Sequence, residues 1–390
     1  MLCAVIQLQL EYKNMKALVL SGGGARGAYQ AGVLTAIAEI VAKNQIKNPF
    51  KIYTGVSAGA INACFMASGA DEFQLTAQRL ANLWSNLHSA QVFKTDAVSL
   101  GKIGLSWVGE LSFGGLSSGV QHGKSLLDTS PLNELIKNNI NFKRIQENIK
   151  NEVIDTLAVT ALDYKTSETI TFVEGKNPSA WKRARRHSEQ TEINPSHIVS
   201  SSAIPLLFMP GKVDDRYFGD GCVRNHQPLS PALHLGADSL MIIGVRKVDS
   251  TAYDEKVLKS TTPPSIALVA NVLLNSVLLD GIEVDIERLN RINTFLQQVP
   301  EEHHDQLNFK SINHVWIHPS KDIGALAATM TSKMPRVIRY LLKGLGPLED
   351  ASEIISYLLF EPEFCSQLIE MGYHDGIQQE AAITEFLLSP

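Results

Sequence analysis

A short apolar run, a row of glycines and a helix follow one another near the start of the chain, and this order restricts the fold more than any other feature. Residues 16–21 (KALVLS) form an apolar run typical of a strand buried on both faces. Residues 22–27 (GGGARG) follow directly, and apolar residues then recur at helical spacing over 28–44. A second strand, 51–56, leads into a small-residue helix that ends near Gly69. This order predicts a parallel-rich central sheet sandwiched by helices, a three-layer α/β/α fold.

The glycine row is compatible with two functions. Gly22, Gly24 and Gly27 fit the G-x-G-x-x-G spacing of a dinucleotide-binding loop, which also needs an acidic residue at the end of the second strand to bind the ribose. That strand ends in GVSAG (55–59), and the nearby acid, Glu39, falls inside the helix. Because the ribose ligand is absent, we expect the loop to bind an oxyanion through its amides. A non-catalytic nucleotide-binding or scaffold protein is the alternative.

The sequence GVSAG places a serine between a strand and a helix. Gly55 and Gly59 permit a sharp turn that exposes the Ser57 hydroxyl, and the first amides of the next helix point towards it. Because Gly23 and Gly24 carry no Cβ, a substrate oxygen can approach their N–H groups closely. The pattern predicts a serine nucleophile with an oxyanion hole.

A serine nucleophile needs a base, and none of the 11 histidines stands in a context that singles it out. His303 and His304 lie in a charged stretch, and His314 and His318 flank a strand-like run. A carboxylate is better placed, since Asp220 comes directly after a strand-like segment and precedes a glycine in a turn.

Four blocks together resemble the patatin-like phospholipases. The blocks of that family are a G-G-G-x-R-G loop after the first strand, G-x-S-x-G, a Ser-x-Ala-x-Pro stretch, and D-G-G or D-G-A. Here they stand in the same order as Gly22–Gly27, Gly55–Gly59, Ser201–Pro205 and Asp220-Gly221-Cys222. The resemblance covers about residues 15–248, and four ordered blocks are much more specific than any one of them.

The resemblance implies a serine acyl hydrolase that releases fatty acids from phospholipid, lysophospholipid or other lipid esters, without metal or cofactor. It makes Ser57 the nucleophile and Asp220 its base, with no histidine between them. The amides of Gly22–Gly24 together with Arg26 become the oxyanion loop. An acyltransferase that uses the same acyl-Ser57 intermediate remains the alternative enzyme.

The last block departs from the family pattern. Cys222 replaces the usual Gly or Ala, and His226-Gln227 stands where plant patatins have two asparagines. Because cysteine is small, we expect the turn to survive, and His226 is the fallback base.

Aspartate has a reference pKa of about 3.9 and is a poor base near pH 7. We therefore expect burial to raise the pKa of Asp220. The apolar neighbours Tyr217, Phe218 and Val223 are the residues expected to exclude water from it.

The rest of the catalytic domain, 15–248, follows from local patterns. Residues 152–162 and 169–173 predict a strand pair, and 239–245 another central strand. The Gly- and Ser-rich segment 93–125 is either a packed irregular insertion or a mobile wall of an acyl-chain channel.

A polar linker over 250–264 opens the predicted helical C-terminal domain, 249–390. The apolar helix that follows, within 265–297, is expected to pack in the core, with a dimer or membrane surface as the alternative. A strand at 315–319 and further helices through Leu388 complete the chain, and the sequence shows no chemistry in this domain.

Composition excludes some functions. A net charge of −5 argues against nucleic-acid binding. The basic patch at 182–186 is a solvated loop or a contact for anionic lipid headgroups. The four scattered cysteines indicate neither a disulfide framework nor a zinc site.

Residues 1–14 make a poor signal peptide and are either an N-terminal extension or a misassigned start before Met15. No apolar run reaches the roughly 20 residues of a membrane span. We expect a cytoplasmic protein, peripheral at the membrane at most, and the sequence leaves a homo-oligomer open.

Overall fold

A computed structural model describes residues 15–94, 125–248 except 177 and 179, 263–278, 281–300 and 309–389, together with the single residues 303 and 307. The N-terminal extension, nearly all of the predicted insertion and most of the predicted linker lie outside these residues.

The described residues form a mixed, mostly parallel sheet of ten strands. The strands are β1 Lys16–Leu20, β2 Ile52–Val56, β3 Thr156–Asp163, β4 Glu168–Gly175, β5 Lys182–Arg183, β6 Arg186–Gln190, β7 Gly211–Val213, β8 Arg216–Asp220, β9 Ser239–Ile243 and β10 Asn313–Ile317. Their order is β10-β9-β1-β2-β3-β4-β6-β5, and β8 pairs with β3 and β7. The first five strands in this order run parallel, whereas β4 and β8 run antiparallel to β3.

Helices cover both faces of the sheet. They are α1 Gly27–Lys43, α2 Ala58–Ser68, α3 Phe73–Ser85, α4 Ser130–Asn139, α5 Phe142–Lys150, α6 Pro195–Ser201, α7 Ser230–His234, α8 Ile266–Leu278, α9 Gly281–Gln297, α10 Ile323–Thr329, α11 Arg336–Leu345, α12 Ser352–Leu358, α13 Pro362–Gln378 and α14 Glu380–Leu388. Successive residues of β1 point to opposite faces, so Leu18 joins the core beneath α1 and α2 while Val19 joins the core beneath α7 and α9. The three-layer prediction is confirmed.

Most elements predicted from local pattern are confirmed to within a few residues. The β1–α1–β2–α2 unit is present, and β3 and β4 are the expected antiparallel pair. β9 is central, since it pairs with β1 and β10. β3 begins at Thr156 rather than 152, because Glu152 is in a turn with a positive φ of 59°.

The register along β3 brings two distant chain segments together. β2 pairs with the first half of β3, ending at Val56 opposite Thr160. β8 pairs with the second half, and its last residue, Asp220, lies opposite Ala161. Because positions 160 and 161 are adjacent, the end of β8 meets the end of β2, where Ser57 follows.

The prediction that the apolar helix after the linker packs in the core is wrong for α8. Most of its apolar side chains are exposed, including Val272 and Leu273. By length and composition alone, Ile266–Gln297 is a candidate membrane span among the described residues, contrary to the expectation that no run is long enough. This is weak evidence of a span, because core helices and signal sequences pass the same test.

Candidate active site

Ser57 occupies a strained turn between β2 and α2. It is the N-cap of α2 and has a φ of 56° and a ψ of −128°, a conformation that non-glycine residues rarely adopt. The backbone is held there because the Ser57 N–H donates to Ser201 Oγ at 2.9 Å, and Ser201 Oγ donates to the Thr160 carbonyl at 2.6 Å. Such strain at a fixed serine is typical of a functional turn.

The Ser57 hydroxyl bonds directly to a carboxylate. Ser57 Oγ lies 2.6 Å from Asp220 Oδ2, and both residues are buried. The other oxygen, Oδ1, accepts a hydrogen bond from the Cys222 N–H at 2.9 Å. The Asp220 N–H donates to the Ala203 carbonyl at 2.8 Å, which fixes the backbone of the aspartate. A carboxylate in this position can take the serine proton.

Burial raises the pKa of Asp220 from its ordinary value of 3.8 to about 6, and the hydrogen bonds from Ser57 and Cys222 oppose that rise. The expected direction of the shift is therefore confirmed. One expected cause is wrong, because Tyr217 is exposed and does not exclude water from the carboxylate. Phe218 is fully buried, as expected.

The Ser-x-Ala-x-Pro block supports both partners of this pair. Ser201 fixes the backbone of Ser57, and Ala203 fixes the backbone of Asp220. The sequence indicated that the block belongs with the other three, but the pattern of residues contained no signal for these two hydrogen bonds.

The glycine row lies against the serine. A Cβ on Gly22 would stand 2.9 Å from Ser57 Cβ and 2.3 Å from Cys222 Sγ, so no side chain fits at this position. Gly24 has a φ of +57° and begins a short 3₁₀ turn over Gly24–Arg26. The glycine row thus lies directly beside Ser57.

Cys222 lies between the glycine row and Asp220. Its thiol is buried, which raises the pKa of the Cys222 thiol well above its usual range and keeps it protonated. The thiol lies beside the Asp220 carboxylate and opposes the rise in the pKa of that carboxyl, and its sulfur lies close to Gly22. The residue that departs from the family pattern therefore contacts both parts of the site.

The side chain of Arg26, which follows the glycine row, is held by residues of α12. The guanidinium is buried, forms an ion pair with Glu353, and donates from Nε to Ser356 Oγ at 2.8 Å. It also lies over the Tyr357 ring at 5.0 Å from the centroid. The ion pair with Glu353 neutralises the buried charge. Arg26 thus anchors the glycine row to the C-terminal helices.

An apolar pocket opens beside Ser57. Among the residues that line it are Trp84, Leu87, Leu132, Ile204, Phe208 and Phe360. Gly24 and Ser57 also line it, so an apolar group in the pocket would lie next to the serine hydroxyl. The free cavity is about 30 Å³, room for about one water molecule, so a longer group requires the lining side chains to move.

His226, the fallback base, is exposed in the turn after the 3₁₀ residues Gly221–Arg224. His314 forms part of β10, and His304 lies outside the described residues. Among the residues that the structure describes, no group of His, Cys, Asp and Glu is arranged to hold a metal ion.

The chain matches the family model described as Patatin-like phospholipase over residues 18–233. Comparison with curated proteins finds no match.

Similar solved structures include VipD from Legionella pneumophila, at 15% identity and a TM-score of 0.41, where the alignment covers 95% of this chain and 67% of VipD. They also include full-length ExoU in complex with SpcU from Pseudomonas aeruginosa, at 15% identity and a TM-score of 0.27, with 88% and 70% covered. ExoU alone gives 14% identity and a TM-score of 0.30, with 92% of this chain and 53% of ExoU covered.

Proposed function

Because the chain belongs to the patatin-like phospholipase family, an enzyme family of lipid hydrolases, we propose that it cleaves lipid acyl esters through a Ser57–Asp220 dyad. The observation that carries this proposal is the 2.6 Å contact between Ser57 Oγ and a buried carboxylate whose pKa is raised to about 6. That value places an aspartate close to the pH at which a general base works best near neutrality.

In the acylation step, Asp220 Oδ2 accepts the proton of Ser57 as Oγ attacks the ester carbonyl carbon. The carbonyl oxygen becomes an oxyanion, which the N–H groups of Gly23 and Gly24 stabilise. Each such donor is worth about 3–4 kcal/mol in the transition state. Collapse of the intermediate breaks the ester C–O bond, and the leaving alcohol takes the proton from Asp220.

In the deacylation step, the same carboxylate removes a proton from water, which attacks the acyl-Ser57 carbonyl. A second tetrahedral intermediate collapses to release the fatty acid, and Ser57 Oγ recovers the proton from Asp220. Atoms balance over the two steps as ester plus water giving acid plus alcohol.

The apolar pocket beside Ser57 supports an acyl group as the part of the substrate that is recognised. Its lining is almost wholly aliphatic and aromatic, so it favours a hydrocarbon over a polar group. Burying each methylene contributes about 0.8 kcal/mol. Phospholipid, lysophospholipid and simpler esters all present such a chain.

The test compares fatty-acid release from phospholipid micelles, and hydrolysis of short p-nitrophenyl esters, by three proteins: the natural chain, Ser57→Ala and Ser68→Ala. Ser68 is a matched control because it is a buried serine at the other end of α2, where its hydroxyl donates to the Phe65 carbonyl. We expect Ser57→Ala to lose activity and fluorophosphonate labelling and Ser68→Ala to keep both. Full activity of Ser57→Ala would refute the proposal.

Acyl transfer is the second candidate, since an acyl-Ser57 intermediate can pass its acyl group to an alcohol or thiol instead of water. Product analysis with and without glycerol or coenzyme A separates the two reactions. A nucleotide-binding function predicts instead heat of binding with ATP or NAD and no labelling of Ser57.

A further inference from the structure

Two neighbouring helices of the C-terminal region expose an apolar surface with a basic edge. On α8, the exposed apolar residues include Ile266, Val269, Val272, Leu273 and Val277. On α11, the exposed apolar residues are Tyr340, Leu341 and Leu345, and the basic residues are Arg336, Arg339 and Lys343. We call these eleven residues together the α8–α11 face. Exposed apolar side chains at this density mark an interaction site.

Only one side of α8 is exposed, because the other side packs against the protein. Ala267 is fully buried, and Asn271 Oδ1 accepts hydrogen bonds from the N–H groups of Glu353 and Ile354 at 2.9 and 3.4 Å. Ser265 Oγ donates to Asp350 Oδ2 at 2.6 Å. The helix is thus held in place with its apolar side outward.

A groove of about 440 Å³ runs between α8 and α11. Its lining includes Leu273 and Leu274 of α8, Leu341 and Leu345 of α11, and Leu206 and Leu207 of the catalytic region. The segment that contributes these last two leucines also contributes Ile204 and Phe208 to the pocket at Ser57. The groove therefore adjoins the pocket through a single five-residue segment.

We propose that the α8–α11 face docks the protein on an anionic lipid surface, with α8 lying in the plane of the acyl–headgroup boundary. The geometry is that of an interfacial amphipathic helix, in which apolar side chains enter the acyl layer and cations meet the headgroups. The choice of lipid as the occupant rests on the proposed function, since the groove adjoins a site for acyl esters.

The charges on the two helices favour a lipid surface over a second copy of the chain. α8 carries no charged residue, and α11 carries three basic residues and no acidic one. A two-fold interface would place this surface against itself and bring like charges together. An anionic bilayer, in contrast, attracts them despite the net charge of −5 of the whole chain. The acidic Glu349 and Asp350 follow only after α11 has ended.

The contacts that α9 makes with the protein core argue against a membrane span by α8 and α9 together. Ile282, Ile286 and Leu289 of α9 pack into the core against β9 and α7, and Asp285 Oδ2 accepts the Leu229 N–H at 3.0 Å. Only the 13 residues of α8 are thus available to enter lipid, fewer than the roughly 20 that a span requires. A helix of this length lies on a membrane rather than across it.

The test is co-sedimentation of the full chain with vesicles, in a Ser57→Ala background so that the lipid is not consumed. Vesicles of phosphatidylcholine are compared with vesicles of phosphatidylcholine and phosphatidylglycerol at equal lipid concentration. Val272→Glu places a charge on a side chain that is 56% exposed, and Leu75→Glu makes the same kind of change on a 40% exposed leucine of α3. Tyr340→Ala provides a second variant on α11, and a thermal melt of each variant checks its fold.

We expect tighter binding to the anionic vesicles, about tenfold weaker binding for Val272→Glu and no change for Leu75→Glu. Replacing Arg336 or Lys343 by Gln should each weaken binding to the anionic vesicles by about fivefold. Absence of vesicle binding by a folded protein, or equal binding by Val272→Glu, Tyr340→Ala and Leu75→Glu, would overturn the proposal. So would a dimer in solution that Val272→Glu dissociates, or a protein that stays soluble only in detergent.

Ester hydrolysis by the natural chain is measured separately on a water-soluble ester. If the natural chain does not hydrolyse that ester, the proposed function fails, whereas the vesicle experiment still decides whether the α8–α11 face binds lipid.

Discussion

The pH dependence of ester hydrolysis tests the role of Asp220 most directly. The perturbation is protonation of the buried carboxylate, whose pKa is raised to about 6. The base must be ionised to accept the serine proton, so activity is lost as the pH falls through that pKa. With a pKa of about 6, the ionised fraction falls from about nine-tenths at pH 7 to about one-tenth at pH 5, and kcat/KM falls about tenfold. A carboxyl at the ordinary value of 3.8 would lose almost nothing over this range.

The assay is the initial rate on a short-chain p-nitrophenyl ester between pH 4 and 8, read at the wavelength where product ionisation does not change the absorbance. A thermal melt at each pH shows where the protein is folded. Asp220→Asn keeps the size of the side chain but cannot take a proton. We expect its rate to be lower by about 10²- to 10⁴-fold. We also expect its pH profile to lack the decrease towards low pH, here called the acid limb, that the natural chain shows.

Two results would refute this reasoning. One is an acid limb near pH 4 in the natural chain, which would mean that Asp220 titrates like an exposed carboxyl. The other is a limb that persists in Asp220→Asn and disappears in His226→Ala, because His226 would then be the base. A limb unchanged in His226→Ala supports the dyad.

Three further predictions follow from the same contacts. Asp220→Asn should raise Tm at pH 8 but not at pH 4. Because the pKa of Asp220 is about 6 in the folded state and 3.8 in the unfolded state, the ionised carboxylate lowers the free energy of unfolding by about 3 kcal/mol above pH 6, and this loss disappears below pH 3.8. Scanning fluorimetry at the two pH values checks this. Cys222→Ser should move the acid limb to lower pH and Cys222→Ala to higher pH, since a hydroxyl is a stronger donor to Asp220 than a thiol and a methyl group donates nothing; unchanged limbs would contradict it. Glu353→Ala should destabilise the protein by about 3 kcal/mol in a urea titration, because it leaves the buried Arg26 charge unpaired, whereas Glu349→Ala on the exposed surface should cost little.

The part of the fold that the sequence predicted depends on local periodicity. The strands around the glycine row and the serine turn are short and apolar, and the helices after them repeat at three and four residues, so each element could be identified alone. The pairing of Ser57 with Asp220 could not, because it depends on the register of β2 and β8 along β3. Only the order of the four blocks pointed to it.

The errors have a common physical cause. An apolar helix needs a surface to cover it, but the sequence does not say whether that surface is a protein core or a lipid layer, and α8 was assigned to the core. The ion pair of Arg26 could not be predicted, because its partner Glu353 lies 327 residues away in the chain and belongs to no motif. Tyr217 was expected to exclude water, but it points outward from a strand whose neighbouring residue, Phe218, points inward.

The contacts of the glycine row with the C-terminal helices predict that residues 15–248 do not fold to an active unit by themselves. Arg26 is neutralised by Glu353, Tyr29 Oη donates to Asp375 Oδ2 at 3.0 Å, and β10 pairs along the whole of β9. Without the C-terminal region, the buried Arg26 would lose its ion-pair partner and β9 would lose one of its two neighbouring strands. Each loss would cost several kcal/mol against a total stability of about 5–15 kcal/mol. We expect a chain that ends at residue 248 to lack a cooperative thermal transition and to resist fluorophosphonate labelling of Ser57. Labelling at the rate of the full chain would show that the C-terminal helices are an independent addition, and that the glycine row keeps its shape without Glu353.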